Sequence, residues 1–160
     1  MQSVKAAGIV VPEFYLSGDD KLFIMKHFDV AKDGGFFGFE DMCVLQARQR
    51  DDKYKASYEK VAKTITQFTS KQNKNKLLEQ FFKITIMSYL LQNGDGHLKN
   101  VGLLYKDTEN IDLAPAYDIV CITAYIKNDI PALMLAASKR TFFTVFRGDK
   151  NNGKFNQHTP

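Results

Sequence analysis

Two short hydrophobic runs near the amino terminus predict a β-hairpin. Residues 10–16 and 21–28 are rich in β-branched and aromatic side chains, a composition typical of strands. The Ser-Gly-Asp-Asp segment between them has the composition of a tight turn. Before the hairpin, residues 2–7 predict the end of a short helix that stops at Gly8.

The next part of the chain begins with a break and contains two predicted helix starts. Two glycines interrupt the pattern at residues 32–35. Glu40 and Asp41 then favour the start of a helix, because acidic side chains stabilise the positive end of the helix dipole. Ser57 is the predicted N-cap of a further helix. Apolar side chains recur in that helix every three or four positions and predict one buried face, formed by Tyr58, Val61, Ile65 and Phe68.

Residues 77–91 predict another helix, with apolar side chains in nearly every direction around its axis. Such a helix is expected to be central and buried rather than amphipathic. Beyond it, residues 101–105 and 111–113 form a second predicted hairpin across a polar turn. Small hairpins and helices in this order predict an α+β fold that is mainly α.

Composition and charge narrow the classes of function. The 160 residues suffice for one domain with a core, and the apolar runs are too short to span a membrane. Five of the 22 basic residues and one of the 18 acidic residues follow residue 138, which leaves 17 of each sign before it. A neutral body with a basic tail is not a basic binding face. We therefore expect no direct nucleic-acid binding and no membrane association.

The cysteines and the carboxy-terminal residues add two expectations. Cys43 and Cys121 lie far apart and lack the spacing of a zinc or redox motif. They predict two buried free thiols in a reducing compartment, and therefore a cytoplasmic protein. Residues 139–160 form a basic tail, and residues 148–160 within it are polar, Asn-rich and without periodicity, which predicts partial disorder.

The candidate chemistry lies in the polar loop after the second long helix. Residues 93–100 read NGDGHLKN, and Asp118 follows 18 positions later, just past the second hairpin. This arrangement suits phosphoryl transfer: Asp95 accepts or orients the attacking hydroxyl, while Asn100 and Asp118 offer hard oxygen ligands to Mg²⁺ bound to ATP. The alternative is structural, since Asn-Gly-Asp-Gly is also an ordinary turn sequence that Asp95 would cap.

The same segments resemble those of a known family. NGDGHLKN followed by LAPAYD resembles the catalytic loop and metal-binding segment of HipA-type serine/threonine kinases, the toxin kinases of bacterial toxin–antitoxin modules. NGDGHLKN alone would also suit aminoglycoside- and choline-type kinases, which share D-x-H-x-x-N. The HipA resemblance extends to AAGIVVPE at 6–13, FIMKHFD at 23–29, SYEKVAK at 57–63 and DIVCITAYIKNDIPALML at 118–135.

This resemblance implies a role for each polar residue of the loop. Asp95 would be the catalytic base, and Asn100 and Asp118 would be the Mg²⁺ ligands. Lys99 would lie near the transferred phosphate, the alternative being a solvated loop lysine. His97 would organise the loop by packing and hydrogen bonding rather than by transferring a proton.

The resemblance also implies an adenine site at the hinge after the first hairpin. Backbone groups from Met25 to Phe28 would meet the adenine edge, and the Phe28 ring would pack near it. Lys26 stands where the family usually has an acid, which removes any side-chain contribution from that position.

By the same resemblance, residues 1–138 are the catalytic portion of such a kinase, truncated at both ends. Residues 1–29 would be the residual hairpin and hinge of the amino-terminal lobe, and residues 30–138 a helical, kinase-like carboxy-terminal lobe. The glycine-rich loop, the nucleotide-binding lysine and the regulatory phosphoserine of the family have no counterpart, and neither GxGxxG nor GxxxxGK[ST] occurs. We therefore expect a partner chain, either a missing amino-terminal lobe or an antitoxin.

Three functional hypotheses follow. The first is a HipA-like protein kinase that uses ATP and Mg²⁺; in this family the substrates include aminoacyl-tRNA synthetases, and the antitoxin partner binds DNA. The second is an inert remnant or binding module of the same fold. The third is a small-molecule kinase of the aminoglycoside type. The intact set of Asp95, Asn100 and Asp118 favours an active site, whereas the missing phosphate-gripping loop favours the inert module.

Overall fold

The computed structural model describes residues 1–126 and 130–135. Short 3-10 turns occur at Arg50–Asp52, Leu98–Asn100 and Ile122–Ala124. The helices and strands, in chain order, are α1 (Gln2–Ala6), β1 (Phe14–Leu16), β2 (Phe23–Met25), β3 (Gly38–Asp41), α2 (Met42–Leu45), α3 (Tyr58–Phe68), α4 (Lys74–Leu90), β4 (Gly102–Tyr105) and β5 (Ile111–Leu113). The prediction of an α+β fold is confirmed.

The first predicted hairpin is present, with shorter strands than the hydrophobic runs suggest. β1 and β2 pair antiparallel, with Phe14 opposite Met25 and Leu16 opposite Phe23. The turn closes where the backbone N–H of Asp20 donates to Ser17 O at 2.9 Å. In the described part of the chain, this hairpin pairs with no third strand.

The second hairpin, β4 and β5, is also confirmed, but it belongs to a three-stranded antiparallel sheet whose first strand, β3, comes from much earlier in the chain. The helix start predicted at Glu40 and Asp41 is present, with α2 beginning at Met42, but Glu40 lies within β3 and pairs with Leu103. Asp41 is the N-cap of α2, as its Oδ1 accepts from the Val44 N–H at 3.1 Å. Strand and helix thus meet at Asp41, which the local sequence alone shows only as a helix start.

Helix α3 begins at the predicted cap and buries most of the predicted face. The Ser57 hydroxyl accepts from the Lys60 N–H at 3.3 Å. Tyr58, Val61 and Ile65 are buried against α4 and the sheet. The prediction fails at Phe68, which is 41% exposed at the last turn of the helix.

The expectation that the second long helix is buried all round is wrong for the described structure. Leu77, Phe81 and Ile84 of α4 lie in the core, but Phe82 is 63% exposed and Leu90 is 54% exposed. α3 and β5 cover only one side of α4, and the hydrophobic pattern cannot show how many neighbours a helix has. The opposite, apolar side of α4 is therefore left at the surface.

One hydrophobic cluster joins α1, α2, both long helices and the three-stranded sheet. Both cysteines are free; Cys43 is buried as predicted, whereas Cys121 is exposed, contrary to prediction. Within residues 1–126 and 130–135, no helix is long and apolar enough to cross a bilayer. The predicted tail at residues 139–160 lies outside the described residues.

Candidate active site

The polar loop after α4 is fixed to the core at both of its ends. Its first residue, Asn93, is 2% exposed and its N–H donates to Ser88 O at 2.8 Å in the last turn of α4. Near the other end, Leu98 is fully buried and its N–H donates to Lys53 O at 3.0 Å. The side chains between these anchors are therefore presented from a rigid support, as the sequence suggests.

The structure brings together the two predicted metal ligands, which are 18 residues apart. The Asn100 Nδ2 donates to Asp118 Oδ2 at 2.6 Å, and the Asn100 Oδ1 accepts from the backbone N–H of His97 at 3.0 Å. Asp118 has a φ of +53°, in the left-handed region of backbone space. Both side chains can therefore reach one ion, and the Asp118 backbone adopts an uncommon conformation to achieve this.

Asp95 lies in the same loop and takes a hydrogen bond that the sequence does not reveal. The Tyr54 hydroxyl donates to Asp95 Oδ1 at 2.5 Å, and His97 Nε2 lies 3.9 Å from the same oxygen. Tyr54 comes 41 residues earlier, in the segment after the first 3-10 turn. No motif or periodicity marks it, and only the three-dimensional fold places it at the loop.

His97 is held as a neutral ring inside the loop. It is 6% exposed, and burial is the main cause that lowers its pKa below the ordinary value of 6.5, followed by the positive charge of Lys53. Its ring meets the Tyr54 ring edge to face at a centroid distance of 5.1 Å. These contacts agree with the predicted packing role of His97, which stays a prediction.

The Lys99 ammonium points at the carboxylate of Asp41, a residue that the sequence motifs do not assign to the site. Lys99 Nζ lies 2.6 Å from Asp41 Oδ2, and this hydrogen bond raises the pKa of Lys99. The Lys99 carbonyl oxygen accepts from the Tyr117 hydroxyl at 2.7 Å. Asp41 therefore caps α2 with one oxygen and holds the loop lysine with the other, which joins the helix start to the candidate site.

Of the predicted hinge residues, Phe28 contacts the site, through an aromatic cluster that it forms with Phe39 and Tyr117. Phe28 stacks on Tyr117 at 5.2 Å between ring centroids and meets Phe39 edge to face at 5.6 Å. Met25 is the last residue of β2. The backbone N–H of Lys26 donates to Glu13 O at 2.8 Å, and its ammonium pairs with the same residue. That N–H is therefore already used, so any backbone contact with adenine must come from the other hinge groups.

The donor atoms at Asn100 and Asp118 fit a magnesium ion. Carboxylate and amide oxygens are hard ligands of the kind Mg²⁺ prefers, and this ion usually keeps waters and binds through one or two carboxylates plus phosphate oxygens. Among the residues that the structure describes, no group of three or more His, Cys, Asp and Glu side chains could hold a metal. Asn100 and Asp118 would leave the other positions around such an ion to water and phosphate oxygens.

Comparison with known proteins finds a family model, two curated relatives and a solved structure that are similar to this chain. The family model described as HipA-like C-terminal domain matches residues 1–158. A Haemophilus influenzae protein named "Putative kinase" is 35% identical over 103 residues, which cover 61% of this chain and 29% of that protein. "Putative kinase Y4dM" of Sinorhizobium fredii is 31% identical over 118 residues, covering 72% of this chain and 28% of that protein. The chain thus spans under a third of the length of these curated relatives.

A solved structure shows the same fold. The Shewanella oneidensis HipA, determined in complex with HipB and operator DNA, matches with a TM-score of 0.72 at 16% sequence identity. The match covers 83% of this chain and 36% of that chain. At this identity the likeness concerns the fold alone.

Proposed function

This chain belongs to the HipA-like C-terminal domain family, and we propose that it is the catalytic portion of a HipA-like serine/threonine protein kinase. In this proposal it forms a helical, kinase-like carboxy-terminal lobe and transfers the γ-phosphoryl group of ATP to a protein hydroxyl. The observation that carries the proposal is the 2.6 Å contact between Asn100 and Asp118, next to the loop that presents Asp95. The relatives named as kinases support it.

Asp95 is proposed to receive the proton of the acceptor hydroxyl. The hydroxyl oxygen bonds to the γ-phosphorus as the bond from that phosphorus to the bridging oxygen of ADP breaks, and ADP leaves. Tyr54 already donates to Asp95 Oδ1. Because a carboxylate has two oxygens, Oδ2 is left to accept from the substrate, and Tyr54 fixes the rotation of the carboxylate.

Asn100 and Asp118 are proposed to hold Mg²⁺ through their side-chain oxygens. The ion, when bound, neutralises charge on the ATP phosphates. Asn100 Oδ1 already accepts one hydrogen bond from the His97 N–H, and a carbonyl oxygen has a second lone pair for a ligand. The contact between the two side chains is replaced when their oxygens face a common ion.

Lys99 and Phe28 are proposed to complete the nucleotide site. The Lys99 ammonium is held by Asp41, so a phosphate contact requires it to share or exchange this partner. Phe28 packs on Tyr117, the residue next to Asp118, and is proposed to carry one side of the adenine site. Met25 is proposed to contribute backbone groups and Lys26 its carbonyl oxygen, since the Lys26 N–H is bonded to Glu13. The aromatic cluster then sets the distance between adenine and the metal.

The β1–β2 hairpin is the proposed docking surface for a further β-strand from another chain. Tyr15, Leu16, Phe23 and Ile24 are each about half exposed, and an isolated two-stranded hairpin is marginal in water. A third strand would satisfy the free edge and cover these side chains. We propose that a glycine-rich chain or an antitoxin supplies it; the Shewanella neighbour is bound to HipB. An aminoacyl-tRNA synthetase is the first acceptor to assay, on the family resemblance alone.

The experiment is a calorimetric titration of the chain with Mg²⁺, with ATP, and with both together. We expect no metal binding without nucleotide, and weak ATP binding that strengthens when a glycine-rich amino-terminal lobe of a relative is added in trans. The matched variants are Asp118→Asn, which removes a ligand charge, and Asp112→Asn, which removes a carboxylate on β5 that pairs with Lys106 at 3.2 Å. Only the first should weaken Mg·ATP binding.

Three results would argue against this function. Micromolar ATP affinity of the unaided chain would show that nucleotide binding needs no partner chain. Equal Mg·ATP binding by the Asp118→Asn and Asp112→Asn variants would remove the metal assignment and favour the inert module. Transfer to an aminoglycoside but to no protein would favour the small-molecule kinase.

A further inference from the structure

The side of α4 that α3 leaves uncovered borders an apolar groove of about 410 Å³. Ala62 of α3 lies on one wall, and Leu78, Phe82 and Ile86 of α4 lie on the other. Phe82 and Ile86 are 63% and 39% exposed. No residue of the loop from Asp95 to Asn100 lines this groove. Contiguous apolar surface of this kind on a folded protein usually marks a place where something binds.

The described chain ends at this groove. Leu135 is the last described residue and is part of the groove lining. Its approach is fixed by the residue before it, because Met134 N–H donates to Ala56 O at 3.1 Å and Met134 O accepts from the Tyr58 N–H at 3.0 Å. The polypeptide that follows therefore starts at the groove and needs no linker to reach it.

The sequence beyond Leu135 matches the groove in chemistry. Residues 141–146 read TFFTVF, with four large apolar side chains and no charge. The six steps from Leu135 to residue 141 span at most about 20 Å, whereas packed helices lie about 10 Å apart. Basic residues flank the segment, namely Lys139, Arg140 and Arg147.

We propose that the groove between α3 and α4 binds residues 141–146 of the same chain. A tethered segment acts at an effective concentration in the millimolar range, and so competes well against a second copy of the chain at micromolar concentration. The segment covers Phe82 and Ile86 of α4. The proposal stands apart from phosphoryl transfer and needs no nucleotide or partner.

Photo-cross-linking of the full chain tests who occupies the groove. Benzoylphenylalanine replaces Phe82 in the test protein. In the control protein it replaces Phe36, which is 76% exposed and lies outside the groove. We expect position 82 to cross-link to residues 141–146 within one chain, with a yield that does not change with protein concentration. Cross-links between two chains that grow with concentration, or none to residues 141–146, would overturn the proposal.

A second measurement uses stability instead of proximity. Replacing Phe142, Phe143 and Phe146 together by Ser should lower the melting temperature by roughly 5 °C and raise the fluorescence of an apolar dye several-fold. The control replaces Asn151, Asn152 and Gln157 by Ser and should change neither. If both triple variants melt and bind dye like the parent, residues 141–146 do not cover the groove.

Discussion

Gly102→Ala should destabilise the protein, although alanine is normally the better residue for chain entropy. A Cβ atom at position 102 would lie 2.4 Å from Phe39 Cε2 and 2.8 Å from Glu40 O. The carbonyl belongs to the backbone of β3, which pairs with β4 at this point. The Phe39 ring also packs against Tyr117, so neither neighbour can move away without disturbing the aromatic cluster.

The size of this effect follows from two opposing terms. Overpacking a well-packed site costs about 1–3 kcal/mol, whereas replacing a glycine by alanine without strain gains about 0.4–1 kcal/mol. The net loss in the free energy of unfolding is therefore about 1–2 kcal/mol. This corresponds to a fall in melting temperature of roughly 2–8 °C for a chain of this size.

Urea unfolding followed by circular dichroism measures the loss, with Gly18→Ala as the matched control. A Cβ at Gly18 would meet no atom within 4 Å, so this variant should be neutral or slightly more stable. Combining G102A with F39L should recover part of the loss by removing the ring from the contact. If G102A and G18A unfold at the same urea concentration, the close approach of β3 and β4 at this point is not real.

Three further predictions concern the candidate site and its support. Asp95→Asn should abolish any phosphoryl transfer while leaving the melting temperature nearly unchanged, because the amide oxygen still accepts from Tyr54; an unfolded variant would show that Asp95 is structural. Leu98→Ala should lower the free energy of unfolding by about 2–5 kcal/mol, since Leu98 is fully buried. The control Leu90→Ala, at a 54% exposed position, should lower it by under about 1 kcal/mol. Equal losses would show that Leu98 does not anchor the loop. The lowered pKa of His97 means that, as the pH falls below about 6.5, His97 is protonated in the unfolded chain before it is protonated in the folded chain. The free energy of unfolding should therefore fall from pH 6.5 to pH 5 more steeply in the parent than in His97→Gln. Parallel curves for the two proteins would show that His97 does not titrate in this way.

The sequence predicts those parts of the site that lie close together along the chain. The loop at residues 93–100 follows a helix and precedes a hairpin, as its pattern indicates. Ser57 and Asp41 both cap helices because a cap depends on the next few residues. Local patterns therefore give the helix starts, the two hairpins and the identity of the polar loop.

Contacts between distant segments are what the sequence does not provide. Tyr54 reaches Asp95 across 41 residues, and Lys99 reaches Asp41 across 58. The second contact depends on β3 pairing with β4, which sets Asp41 opposite Gly102. The first lies beside the hydrogen bond from the Leu98 N–H to Lys53 O, and no turn signal announces either one. The exposed side of α4 is not predicted for the same reason, because the hydrophobic pattern of a helix does not show which segments pack against it. The predicted roles of the individual site residues stay predictions.

The left-handed backbone at Asp118 limits which residues this position can accept. At a φ of +53°, most L-residues incur a cost of about 1–2 kcal/mol, and Gly, Asn and Asp are the types that adopt the conformation most readily. Asp118→Ala would therefore have two effects at once, because it removes the carboxylate and also introduces a residue that adopts this backbone conformation less readily. Asp118→Asn removes only the charge. Asp118→Gly should even unfold at a higher denaturant concentration than Asp118→Ala. Directed libraries at this codon should accordingly be enriched in these three amino acids, while Ala47 and Gln92, at φ values of +52° and +54°, show that this chain holds other types in the same conformation.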